Sequence, residues 1–120
     1  MILVDTSVWI DHLRAGNRKL RSLLENAEVL AHPFVVGELA CGTLRKREEV
    51  LALLHALPEA QAAEHEEVMR VVERERLYGR GIGWIDVHLL ASARLSSAAL
   101  WTLDRRLSRI ASALALAFEA

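Results

Sequence analysis

Only four aspartates occur in this 120-residue chain, at positions 5, 11, 86 and 104, against twelve glutamates. Three of the four, and one glutamate, stand where ordinary packing would not put an acid. Asp5 closes the apolar run Ile2-Leu3-Val4, and Asp104 closes Ala98-Ala99-Leu100-Trp101-Thr102-Leu103. Glu38 and Asp86 each fall inside apolar helical stretches, near their starts. An ionised group is costly to bury unless it is paired or bound to a metal. Taken singly, each acid reads as a helix cap or as a partner for a nearby arginine. Taken together they do not. If they converge, each pair at about 4 Å repels by about 4 kcal/mol at an effective dielectric of about 20, and a domain of this size has only a few such amounts of net stability. A positive charge must then sit among them. An all-oxygen set without His or Cys suits a hard dication, Mg²⁺ or Mn²⁺, rather than zinc. The chemistry that goes with such a site is phosphodiester cleavage, in which metal activates water and steadies the leaving oxygen.

The elements that must position these acids alternate. Ile2-Leu3-Val4 reads as a strand buried on both faces. A helix follows, capped by Thr6 or Ser7, with Trp9, Ile10 and Leu13 on one side and Gly16 closing it. A second helix from Asn17 sets Leu20, Leu23, Leu24 and Ala27 in one stripe, and Val29-Leu30-Ala31 is a short strand. His32-Pro33 starts a helix near Phe34 that carries Glu38. Two further helical patterns, ending at Pro58 and near Leu77, predict an αα-hairpin. Gly79-Arg80-Gly81-Ile82-Gly83 is a hinge, since it follows a helix and lacks the Lys-Ser/Thr ending of a phosphate loop. Residues Trp84 to Ala93 form a helix apolar almost all round and therefore buried. The strand ending at Leu103, a short helix with Leu107 and Ile110, and a last strand near Ala113 to Phe118 complete the pattern. Such alternation predicts an α/β, three-layer α/β/α architecture with a central parallel sheet of four or five strands. Ligands in such sheets sit beyond the carboxyl ends of the strands, where Asp5 and Asp104 lie.

Composition bounds the rest. One domain over residues 1–120 is expected from length, and 52% apolar residues exclude global disorder. No run reaches the roughly 18 apolar residues of a membrane span, and the start carries no basic signal region, so a cytoplasmic protein is expected. Cys41 is the single cysteine, which excludes an internal disulfide and a zinc ribbon. Fifteen basic residues against sixteen acidic ones predict no general attraction to nucleic acid. Thirteen of the fifteen are arginine, whose planar fork suits phosphate.

Val4-Asp5-Thr6-Ser7, Glu38 in Val35-Val36-Gly37-Glu38-Leu39, Asp86 in Gly83-Trp84-Ile85-Asp86-Val87-His88-Leu89-Leu90-Ala91-Ser92-Ala93, and Thr102-Leu103-Asp104 resemble the PIN-domain ribonucleases, specifically VapC-type toxins of toxin-antitoxin pairs. Order, spacing and chain length carry the resemblance over essentially the whole chain. It implies a PIN-like fold, Mg²⁺- or Mn²⁺-dependent endonucleolytic cleavage of RNA leaving 5′-phosphate and 3′-hydroxyl ends, and inhibition by a VapB-type antitoxin. It also implies a homodimer with an apolar groove for the antitoxin. Asp5, Glu38 and Asp86 correspond to the family's three principal acids and Asp104 to its more variable fourth. Thr6 or Ser7, and Thr102, fall where the family places hydroxyls that support the site.

Other residues carry plainer expectations. Asp11 faces away from the site, and His88 is a core or subunit contact. His12, His32, His55 and His65 show no ligand spacing. Cys41 packs near Glu38 as a small apolar residue. Trp9, Trp84 and Trp101 lie in apolar runs and read as core or dimer contacts rather than base platforms. Arg80, Arg105, Arg106 and Arg109 are the candidates for RNA contact, with Arg45, Lys46 and Arg47 a further basic run. Three alternatives remain: a non-catalytic binding module on the same fold, a HAD-like phosphatase and a response-regulator receiver. The phosphatase would need an aspartate where Ser7 stands. The receiver would need a late lysine, and Lys19 and Lys46 are both early.

Overall fold

The computed structural model describes residues 1–119. Its centre is β1 (Ile2–Val4), flanked by β2 (Val29–Leu30) and β3 (Ala99–Trp101) in the order β2-β1-β3. All pairings are parallel, with Leu3 opposite both Leu30 and Leu100 and Val4 opposite Trp101. Leu3, Val4, Val29 and Leu100 are fully buried, as a strand covered on both faces requires. The sheet has three strands rather than the expected four or five. Single parallel bridges extend it at each edge, Ala31 to Glu59 and Leu100 to Ala117. The expected last strand is shortened because α7 (Arg105–Ala113) claims its beginning, leaving only the Ala117 bridge.

Helices α1 (Thr6–Ala15), α2 (Arg18–Glu25), α3 (Pro33–Ala40), α4 (Arg47–Ala56), α5 (His65–Arg74) and α6 (Trp84–Leu95) complete the described elements. Helix α2 starts on Asn17, whose side chain accepts the Leu20 N–H at 3.0 Å. The capping residue of α1 is Asp5 rather than Thr6 or Ser7. Ile10 of that helix points outward while Val8 and Trp9 are buried, so its inner face is rotated from the expected one.

The expected hairpin of α4 with α5 does not form. Helix α4 packs on α3 and α5 runs along α6. Between them the chain is extended: Ala31 donates to Pro58 O at 2.9 Å and Ala60 donates to Ala31 O at 2.8 Å. These bonds fasten the connector to the sheet edge instead of folding it into a tight turn. Helix α6 is buried continuously from Val87 to Ala93 and lies against α5 and the sheet. The path from β1 out to β2 and back across to β3 makes β1 the point where strand order reverses. Its carboxyl end is therefore the crevice in which an open α/β sheet holds ligands.

Candidate active site

Asp5, Glu38, Asp86 and Asp104 all line one open cleft of 610 Å³ beyond the carboxyl ends of β1 and β3, together with Thr6, Ser7 and Trp84. Four elements deliver them. Asp5 leaves β1, Glu38 comes from α3, Asp86 stands in the first turn of α6, and Asp104 joins β3 to α7. Among the described residues the one ion pair is Arg94 with Glu75, so no guanidinium or ammonium neutralises any of the four.

Each carboxylate has one oxygen fixed by the chain. Asp5 Oδ2 accepts from the Ser7 hydroxyl at 2.8 Å and the Thr102 hydroxyl at 2.7 Å. Thr6 Oγ1 donates to Glu38 Oε1 at 2.8 Å. The Gly83 N–H donates to Asp86 Oδ2, and the Leu107 N–H to Asp104 Oδ1, both at 3.0 Å. The second oxygen of each acid has no donor from the chain among the described residues. Thr6, Ser7 and Thr102 therefore hold Glu38 and Asp5 in place, and Thr102 and Ser7 are themselves held by the Asp104 and Leu103 amides at 3.0 Å.

The acids sense one another. Burial pushes the Asp86 carboxyl above its ordinary pKa; the Gly83 amide opposes this, and the charges of Asp5, Asp104 and Glu38 add to it. Asp5 is buried, Asp86 partly so, and Glu38 and Asp104 are exposed at the mouth. Among the described residues, no three His, Cys, Asp or Glu side chains are close enough to grip a single ion directly. The donor set still fits a hard dication that keeps part of its water shell: oxygen ligands only, convergent on one cleft, each with a free lone-pair face.

Arg80, Arg105, Arg106 and Arg109 are exposed and unpaired among the described residues, and none of the four lines the cleft itself. Arg106 lies across the hinge: a Cβ on Gly81 would come within 2.8 Å of its Cδ and Nη1. Gly81 has φ +81°, and it is this backbone conformation that calls for a glycine, since the Arg106 side chain is flexible enough to swing aside. Arg47 is occupied elsewhere, donating to Ala40 O at 2.7 Å and capping the end of α3. Asp11 accepts from the Asn17 side chain at 3.1 Å and does not line the cleft.

Two side chains, His32 and Trp84, take places beyond those expected of them. His32 caps α3, its Nδ1 accepting the Phe34 N–H at 3.0 Å. That leaves Nε2–H to donate to Ser92 Oγ of α6 at 3.1 Å, which ties the Glu38 helix to the Asp86 helix. Burial, and then the nearby His88, bring the His32 pKa down to about 4, so it is neutral in the folded chain. Trp84 is not core: it is 39% exposed at the cleft, while Trp9 and Trp101 are buried as expected. The position of His32 before Pro33 was a capping signal. The exposure of Trp84 depends on how α5 meets α6, which has no local trace.

The PIN domain profile matches residues 2–113. Ribonuclease VapC32 of Mycobacterium tuberculosis, in strains CDC 1551 / Oshkosh and ATCC 25618 / H37Rv, is 51% identical over 108 residues, covering 89% of this chain and 87% of that protein. Among solved structures, FitAcB from Neisseria gonorrhoeae is 24% identical with a TM-score of 0.63, covering 93% of this chain and 94% of that one. FitAB bound to an IR36 DNA fragment is 20% identical with a TM-score of 0.65, covering 93% and 91%. These two likenesses concern the fold.

Proposed function

The chain belongs to the PIN-domain family, and from that premise we propose that it is a single-domain, Mg²⁺- or Mn²⁺-dependent endoribonuclease, the toxin of a VapBC-type pair. The observation that carries this reading is the cleft in which four carboxylates converge, each with one oxygen fastened by the chain and one left free, and none paired with a cation among the described residues. The relative half identical to it is named a ribonuclease.

Asp5, Glu38, Asp86 and Asp104 would hold the metal, which supplies activation of water and stabilisation of charge on the phosphodiester. The chain does the positioning. Ser7 and Thr102 fix Asp5, Thr6 fixes Glu38, and the amides of Gly83 and Leu107 fix Asp86 and Asp104. Arg80, Arg105, Arg106 and Arg109 offer the RNA backbone a positive border around a cleft that would otherwise repel it. No protein nucleophile is required, since Ser7 and Thr102 are engaged with Asp5.

An antitoxin would have a place to dock. Ile10, exposed on α1, lines an apolar hollow with Leu13, Leu39 and Leu44, bordered by Arg14 and Arg45. Homodimerisation and a place in the cytoplasm belong to the same reading; no described helix is long and apolar enough to cross a membrane. The deciding experiment incubates the purified protein with total RNA and Mn²⁺ and maps the ends, beside Asp5→Asn. New 5′-phosphate ends that vanish in Asp5→Asn support the reading. Intact RNA, or cleavage indifferent to Asp5, defeats it in favour of a binding module.

A further inference from the structure

We propose that Trp84 is a stacking platform for one nucleobase of the RNA strand whose phosphate occupies the acidic cleft; the inference rests on the ribonuclease reading and adds a positioning residue to it. Trp84 is the first residue of α6, two before Asp86, and both line the cleft. Folding leaves 39% of it in water, although the other two tryptophans are 1% and 5% exposed. Its indole is nevertheless held. His88 meets it edge-on at 4.8 Å and 84°, and His65 of α5 lies at 5.1 Å, tilted by 49°. A large side chain braced from two helices and open on the cleft side is a rigid surface with little entropy left to lose on binding.

The surface continues. Phe34, 38% exposed, packs edge-on against His88 at 4.7 Å. It borders a second hollow that shares Glu38 and Ile85 with the cleft. An aromatic shelf therefore runs directly into the acidic wall without an intervening charged side chain of opposite sign. A phosphate among the carboxylates puts its attached base within one nucleotide of that wall. Stacking on the indole face needs no matched donor or acceptor on the base, so it tolerates any base.

The burial of Trp9 and Trp101 makes the test direct, because only the Trp84 indole is open to a ligand. With Ca²⁺ in place of Mn²⁺, to offset the acids without supporting cleavage, titration with a short single-stranded RNA should quench tryptophan emission in the wild type and not in Trp84→Leu. With Mn²⁺, Trp84→Leu should lose about 5- to 150-fold in kcat/KM, mostly through KM, and Trp84→Phe should recover most of it. An RNA made abasic beside the cut should show the same loss on the wild type and no further loss on Trp84→Leu. Cleavage unchanged in Trp84→Leu, or an abasic penalty independent of Trp84, overturns the platform. So does a Trp84→Leu variant that fails to fold or changes its association state and is not rescued by Phe, because the surface is then structural or a protein contact. If the wild type cuts RNA without quenching, the platform alone fails. If RNA quenches Trp84 and is never cut, the nuclease reading fails and the platform stands.

Discussion

The junctions of β1 with α1 and of β3 with α7 are built alike and used differently. Both strands end side by side, both pass into a helix through an aspartate, and both aspartates adopt extended backbone at the capping position. Asp104 caps its helix, accepting the Leu107 N–H. Asp5 does not: its carboxylate turns to Ser7 and Thr102, and the Val8 and Trp9 amides fall back on its carbonyl at 3.1 and 3.3 Å. A side-chain cap contributes about 1 kcal/mol, so α1 forgoes that contribution while α7 keeps it. On the proposed reading, the position where a capping residue declines to cap is the one that would hold the metal. The third junction, β2 to α3, replaces aspartate with His32, a cap that also fastens two helices.

The contrast is sharpest in Asp5→Asn. Cleavage of RNA should fall by about a thousandfold, the loss of several kcal/mol of transition-state stabilisation. Metal-free thermal stability should stay level or rise, because one of four mutually repelling charges is gone. A variant that unfolds instead makes Asp5 structural, and the two junctions become equivalent.

His32 comes next. Its folded pKa of about 4 lies below the ordinary 6.5, so the unfolded chain binds the extra proton between those values. Stability from this residue is complete above about pH 6.5 and is lost as pH falls towards 4, by roughly 3 kcal/mol. Thermal melts of His32→Asn, which keeps a capping side chain, should be flatter than wild type across that window. Parallel curves would refute the neutral, buried imidazole.

Metal addition should raise the wild-type melting temperature by a few degrees, since a dication at ten times its Kd adds about 1.4 kcal/mol. Asp5→Asn should show less of this shift than Asp104→Asn. The smallest effect belongs to Asp104→Ala, which should cost about 1 kcal/mol in a denaturant melt and leave more residual cleavage than Asp5→Asn. If the two alanine or asparagine series give the same activity, the division of labour between the junctions is wrong.

Much of this site could be read in the chain because acids at the ends of apolar runs are a local pattern. Ile2–Val4 and Ala99–Trp101 are strands where continuous burial predicts them, and the Thr6, Ser7 and Thr102 hydroxyls sit on the acids. What escaped was tertiary. Helices α4 and α5 each have an apolar stripe, but a stripe does not name its partner, and they chose α3 and α6. Glu59 and Ala117 extend the sheet by single bridges, too short to leave an alternating signature. That Asp104 gives one oxygen to a backbone amide of its own helix while Asp5 gives none to the amides of α1 depends on where Thr102 falls once β3 has paired with β1.

That pairing has a consequence in time. One of the two hydroxyls that steady Asp5 comes from a residue 97 positions later, and the central strand gains its second neighbour only with β3. Until Thr102 and Asp104 have left the ribosome, the cleft therefore lacks one of the two hydroxyls on Asp5 and one of its four acids. On the proposed reading the cutting site is thus completed late, after its other three acids have been made.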